Sequence, residues 1–370
     1  MNEDKSSRYH RLRRQASSIA AGASVALLGV SLISGAAAYL GARMSDIAGG
    51  GLAGAALYCL VLAMAVELIQ FPLAWHQVAL ERRYGLLTQS TGSWLLDHAR
   101  GAALTLASGV GAGLLVVSFL RWSPDSWWMM SWAVFSVVLV GLAAAAPVLL
   151  LPLFYRFTPL DRPALAARLV SLAERAGTPV VGVFEWRLSD RTRKANAALA
   201  GLGRTRRILV SDTLLAEHSD DEVAVILAHE IAHHRHRDMW SALALESVLL
   251  LAALYVADRA LRASIGWFGI TGMGDLATLP LVLLAGGVAS AAGRPFLNAW
   301  SRMHERRADR FALELTRDAG AFVTAMRRLA AQNLAEEQPS RAVELLFHTH
   351  PPTAARVEAA QSWARASRSA

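Results

Sequence analysis

The chain has 370 residues, of which 54% are hydrophobic and 18% charged, with a formal net charge of +8 and a mean hydropathy of +0.33. Soluble domains carry about a quarter charged residues, so this profile points to an integral membrane protein and argues against a soluble enzyme. One cysteine, Cys59, excludes an intrachain disulfide and any cysteine-based metal site, and membrane orientation on anionic lipid accounts for the basic excess without nucleic acid.

Four apolar runs precede residue 155, over 17–41, 52–75, 102–120 and 127–154, and each is long enough to cross a bilayer as a helix. The first offers a signal-peptide-like Ala36-Ala37-Ala38, but its apolar stretch exceeds an ordinary signal core, so it reads as a retained membrane helix. Gly50-x-x-x-Gly54 fits close helix packing, and Cys59 falls in the second run as a lipid-facing or packing residue. Glu67 in the second run and Glu246 in a later one are costly at that depth. They imply a hydrated cavity or hydrogen bonds between helices. Lys5, Arg8, Arg11, Arg13 and Arg14 precede the first span, and Arg82, Arg83 and Arg100 lie between the second and third, whereas the opposite loops hold mainly Arg43 and Arg121. This bias sets the N-terminus in the cytoplasm, and an even number of spans returns 156–238 to the same side.

The polar segment that follows reads as an α/β layer, with helical periodicity over 161–176 and short strands over 180–186 and 207–211. Asp212 or Ser219 opens the next helices, and Ser219-Asp220-Asp221-Glu222 forms a capping box ahead of a helix over 223–238. Inside that helix lies His229-Glu230-Ile231-Ala232-His233, an H-E-x-x-H motif. Residues four apart share a helix face, so both imidazoles reach one zinc ion while Glu230 holds a water as its base. The implied chemistry is peptide-bond hydrolysis.

A catalytic zinc takes three protein ligands and keeps one position open. His236 lies seven residues beyond His229, about 10 Å along a helix axis, too far to close on the same ion. Two further spans, 240–257 and 276–292, come next, the latter interrupted by Gly286, Gly287 and Gly293. Beyond them a helical stretch over 301–312 sets Glu305 and Asp309 on one face, Glu305 as third ligand and Asp309 as the carboxylate that orients a ligand imidazole. The competing reading is a salt-bridged surface helix among Arg302, Arg306, Arg307 and Arg310. Arg294, Arg302, Arg306 and Arg307 place this stretch on the cytoplasmic side, where both halves of the metal site meet. A noncatalytic zinc-binding membrane scaffold or binding protein is the alternative function. It leaves Glu230 without a role, because structural zinc is ordinarily closed by four protein ligands.

Longer landmarks surround these residues: Glu81-Arg82-Arg83-Tyr84-Gly85-Leu86 with Gln89, Trp94 and Asp97; Leu151-Pro152-Leu153-Phe154; Phe157-Thr158-Pro159-Leu160; Asn196-Ala197; Asp212-Thr213-Leu214-Leu215; and the 301–312 stretch. With them the chain resembles, over nearly its whole length, the integral-membrane zinc endopeptidases of the type I CAAX prenyl protease family. The fold expected is mainly α, a multi-pass membrane helical bundle with a small α/β zincin-like catalytic layer on the cytoplasmic side. It divides into an N-terminal membrane domain over 1–155 and a zinc peptidase domain over 156–370 containing the last two spans. The resemblance implies one zinc per chain on His229, His233 and Glu305, with Glu230 as catalytic base and Asp309 behind the ligands. It also implies that Asn196, Ala197 and Gly201 hold the substrate backbone by strand addition, that Asn196 touches the scissile carbonyl, and that His350 and Arg356 stabilise the oxyanion. His348, two residues earlier, is the decoy.

Three features depart from that family. Ala198, Leu199 and Ala200 are small or aliphatic where the substrate strand usually carries aromatics, six spans stand against seven in eukaryotic members, and the Ala- and Arg-rich composition suggests a high-GC bacterial gene without prenylated substrates. The expected partners are therefore the lipid bilayer and a membrane-associated peptide or protein, processed or degraded at the cytoplasmic face of a bacterial inner membrane.

Overall fold

The computed structural model describes residues 4–201 and 203–369. Its membrane part opens with α1 (Lys5–Ile33), α2 (Ala36–Ala48), α3 (Gly51–Arg83), α4 (Thr91–Trp122) and α5 (Trp127–Ala145). A π-turn at Ala146–Leu150 then leads into the short α6 (Leu151–Phe154). The catalytic layer follows as β1 (Phe157–Pro159), α7 (Pro163–Arg175), β2 (Val183–Trp186), β3 (Ala197–Ala200), β4 (Arg207–Ser211), α8 (Asp212–Glu217) and α9 (Asp220–Arg235). The chain re-enters the membrane part as α10 (Asp238–Ala263) and α11 (Thr278–Thr316), and it closes with α12 (Ala319–Gln332), α13 (Arg341–Phe347) and α14 (Thr353–Ser369).

Among the described residues six helices, α1, α3, α4, α5, α10 and α11, are long and apolar enough to cross a membrane. Two of the expected spans have different limits. The first does not run to residue 41, because α1 stops at Ile33 and Gly35 adopts φ +74° before α2 begins. The last does not break at its glycines: α11 continues through them and through Pro295 for 39 residues, carrying the span and the Glu305 stretch as one rod. Gly293 has a packing reason for its size, since a Cβ there would lie 3.2 Å from the Leu249 side chain on α10.

Each of the six spans packs mainly against two others, in the cycle α1, α3, α4, α5, α10, α11 and back to α1, so they form a closed ring. Polar side chains stitch neighbours together: Gln70 Nε2 donates to Ala20 C=O at 3.0 Å, and Trp132 Nε1 donates to Ser247 C=O at 3.0 Å. Glu67 faces a neighbouring helix, its Oε1 lying 2.9 Å from His98 Nε2 on α4. One end of the ring is plugged by an apolar cluster that includes Leu32, Tyr58, Cys59, Leu120, Trp127 and Ile270, so Cys59 is a packing residue. The catalytic layer covers the other end.

In that layer the strand order is β1-β2-β4-β3, with β2 and β4 parallel and the outer pairs antiparallel. Strand β3 is therefore an edge. The expected strands are present as β2 and β4, whereas β1 and β3 are too short for an alternating pattern to register in the sequence. Helix α9 is nearly all buried from Glu222 to Ala232, between the sheet and α7, α11 and α12. It starts at the expected capping box: Ser219 N–H donates to Glu222 Oε2 at 2.8 Å and Glu222 N–H donates to Ser219 Oγ at 3.3 Å. Helix α8 is capped by Ser211, while Asp212 accepts from Leu188 N–H at 2.9 Å and so ties down a loop. The 84–90 loop docks the membrane part onto the run into β3: Leu86 C=O accepts from Arg193 N–H at 2.9 Å, and Glu81 Oε1 meets Lys194 Nζ at 2.8 Å.

Candidate active site

His229 and His233 stand one turn apart on α9, and Glu305 reaches them from α11. The two Nε2 atoms are 3.2 Å apart, and each lies 3.3 Å from a Glu305 carboxylate oxygen. Among the described residues these three form the one His/Cys/Asp/Glu group able to hold a metal ion. The Glu305 carboxylate is buried, so its negative charge faces the two imidazoles directly. His236 lies outside the group, packed edge-on against Phe311 at 5.5 Å.

Carboxylates fix both rings from behind. Asp309 Oδ1 is 2.9 Å from His229 Nδ1, which directs the Nε2 lone pair at the metal position. Asp238 Oδ2 does the same for His233 Nδ1 at 2.8 Å. Arg356 holds Asp309 in turn, Nε to Oδ2 at 2.8 Å, and lies 3.4 Å from His229 Nδ1.

A cavity of about 810 Å³ opens onto this cluster, with Glu230, Asn196, Ala197, His350 and Arg356 in its wall. Burial raises the Glu230 carboxyl above its ordinary pKa, opposed by the neighbouring His229 and His233. His350 Nε2 comes within 3.4 Å of Glu305 Oε1, whereas His348 turns away to Glu336 at 3.5 Å. Arg302, buried on α11 one turn before Glu305, donates to Glu344 C=O at 2.9 Å and His348 C=O at 2.6 Å, and thereby seats the loop that carries His350. Gly201 sits at the turn after β3 with φ +91°, where a Cβ would meet Thr205 C=O at 2.5 Å; it does not line the cavity. Glu67 and Glu246 do not line it either.

Residues 159–364 match peptidase family M48, and residues 2–156 match the CAAX prenyl protease N-terminal region of five membrane helices. The chain belongs to peptidase family M48. It is similar to an uncharacterized metalloprotease, YhfN, of Bacillus subtilis, at 31% identity over 82% of this chain and 72% of that one. It is also similar to CAAX prenyl protease 1 of Saccharomyces cerevisiae, at 32% identity over 47% of this chain and 39% of that protein. The crystal structure of S. mikatae Ste24p shares the fold, with a TM-score of 0.83 and 22% identity over 96% of this chain and 88% of that one. This M48 member is thus an integral-membrane metalloprotease, and the His229, His233 and Glu305 group could hold a metal ion.

One site residue of the M48 chain has no signature in sequence. Asp238 lies beyond the end of α9 and faces His233 only because Arg237 adopts a left-handed turn, φ 58°, that folds α10 back. Its other oxygen meets His304 Nδ1 at 2.6 Å and contacts Arg307, which locks it in place. Replacing Asp238 by Ala is expected to weaken metal binding about 10–100-fold. Competition against a chromogenic chelator measures this. Activity should return with excess metal, and unchanged affinity would remove Asp238 from the site.

Proposed function

We propose that this protein is a zinc endopeptidase that cuts membrane-associated peptides or proteins at the cytoplasmic face of a bacterial inner membrane, in processing or quality control. The observation that carries the zinc assignment is the spacing of the donor atoms. Ligands at 2.0–2.1 Å around tetrahedral zinc are about 3.3 Å apart. Here the two imidazole Nε2 atoms stand 3.2 Å apart and the Glu305 carboxylate straddles them, Oε2 3.3 Å from His229 and Oε1 3.3 Å from His233, beside the cavity. Zinc, when bound there, supplies a Lewis acid that acidifies water and polarises a carbonyl.

The chain's own residues perform the remaining steps. Glu230 accepts the proton of the attacking water and returns it to the leaving amide nitrogen, a task suited to a carboxyl whose pKa burial has raised. His350 and Arg356 donate to the oxyanion, Arg356 while still anchored on Asp309. Ala197 holds the substrate backbone along the β3 edge, the Asn196 side chain touches the scissile carbonyl, and Gly201 ends that edge in its turn. The division of labour follows a membrane domain over 1–155 and a peptidase domain over 156–370. The basic residues flanking the spans favour a cytoplasmic site.

Ala198, Leu199 and Ala200 give the edge no aromatic pocket, which favours unprenylated substrates over the class named by the yeast relative. The test uses purified detergent-solubilised protein with stoichiometric zinc on a fluorogenic peptide library. Hydrolysis should vanish on chelation and return with zinc. A zinc-loaded chain that cuts nothing would favour a noncatalytic scaffold.

A further inference from the structure

The outer edge of β3 is partly taken. Ser211 N–H donates to Asn196 C=O at 2.9 Å, and β3 pairs antiparallel with β4 from there on. In such a ladder alternate residues face the partner strand. Asn196, Ala198 and Ala200 therefore point their peptide groups at β4, and Ala195, Ala197 and Leu199 point theirs outward. Asn333, just past α12, brackets the first of these: its Oδ1 accepts from Ala195 N–H at 2.9 Å and its Nδ2 donates to Ala195 C=O at 3.2 Å. At the opposite end His234 Nε2 lies 2.6 Å from Leu199 C=O. A ring nitrogen facing a carbonyl donates its hydrogen, in the neutral and the charged imidazole alike. Between these clamps the Ala197 N–H and C=O and the Leu199 N–H have no partner on the outer side among the described residues, so Ala197 is the one outward residue with both of its backbone groups open. The cavity wall follows the same limits, taking in Ala195, Asn196 and Ala197 beside Glu230 and ending before Leu199.

We infer that His234 and Asn333 determine specificity by closing the strand edge on both sides of Ala197, so that a peptide finds both backbone groups of a residue open at Ala197 alone and pairs in one register. The inference rests on the reading of the chain as a peptidase that takes its substrate at β3. A longer open edge lets a peptide slip by two residues and pair equally well, presenting a different bond to the metal. An edge with one fully open residue cannot. Selection here is by backbone register, which suits a strand whose side chains Ala198, Leu199 and Ala200 form little of a pocket. His234 directly follows the metal ligand His233, so the metal helix itself sets the distance between the paired residue and the bond to be cut.

The test is an N-methyl scan. In a peptide the native chain cuts, each backbone amide except the scissile one is methylated in turn, and KM, kcat and cut sites are measured. The native chain should show one sensitive position, with KM raised about threefold to tenfold by loss of a single hydrogen bond and kcat little changed. His234→Ala frees Leu199 C=O, so a second sensitive position should appear two residues away, with cut sites spread over more than one bond. His234→Gln keeps a donor and should retain the single position. If His234→Ala loses zinc, Asn333→Leu makes the same measurement from the Ala195 end. Two or more sensitive positions in the native chain, or a variant pattern identical to native, would overturn the inference while leaving the peptidase intact. No hydrolysis of any peptide by the zinc-loaded native chain would instead overturn the peptidase reading, and this inference with it.

Discussion

Glu230→Gln should lower kcat by about 10²–10⁴-fold while the protein keeps its metal. The substitution preserves the size of the side chain and leaves His229, His233 and Glu305 untouched, so the 3.2–3.3 Å spacing of their donor atoms survives. What disappears is the carboxylate in the cavity wall beside His229, and an amide cannot accept the proton of an attacking water. The native pH profile should fall on the acid side as Glu230 protonates. Because burial holds its pKa above the ordinary carboxylate value, that limb should lie at higher pH than an exposed glutamate would give. Metal analysis alongside steady-state kinetics decides the matter. A zinc-loaded Glu230→Gln protein with kcat within a few-fold of native would show that another group is the base.

How much of this site the sequence discloses depends on whether its geometry is local. The H-E-x-x-H pair and the capping box obey helical spacing and are legible directly, because α9 delivers residues four apart to one face whatever surrounds it. Glu305 and Asp309 are legible for the same reason, although their partners are on another helix; spacing identifies the pair, and charge bias supplies the side of the membrane. The continuity of α11 is not legible. Gly286, Gly287, Gly293 and Pro295 are local breaking signals, yet α11 runs through them packed along α10, with Gly293 set against Leu249. Asp238 is hidden because one left-handed residue, Arg237, resets the helical phase between it and His233. Strand β3 could be read only through resemblance. Four residues, three of them alanine, carry no β pattern, and they pair because Asn333, the 84–90 loop and β4 hold them extended. His348 and His350 are likewise indistinguishable as a sequence pair, and Arg302 and Glu336 separate them in space.

Glu305→Gln should strip the zinc, with a larger loss of affinity than the roughly 10–100-fold expected for an outer carboxylate such as Asp238. The reasoning concerns protons as much as ligands. In the metal-free chain burial alone would lower the His229 pKa, but its bonds to Asp309 and Glu305 win, and the imidazole is raised to about 9. Burial would likewise raise the Glu305 carboxyl, yet the bonds to His229 and His233 hold it well below the ordinary range. The metal-free site is thus filled by a proton on His229, held between two carboxylates, and zinc must displace it. Apparent zinc affinity should therefore fall about tenfold per pH unit as the pH drops below about 9, for one proton released. Stability of the chelated protein should run the other way. A raised folded-state pKa contributes stability fully below the unfolded value near 6.5, and that contribution is lost as the pH rises through about 9. Zinc competition titrations and thermal unfolding of the chelated chain between pH 6 and about 10 test both signs together. In Glu305→Gln one of the two carboxylates that hold the proton is gone, so both dependences should flatten. A variant that keeps native zinc affinity and the native pH slope would mean that Glu305 is not the third ligand.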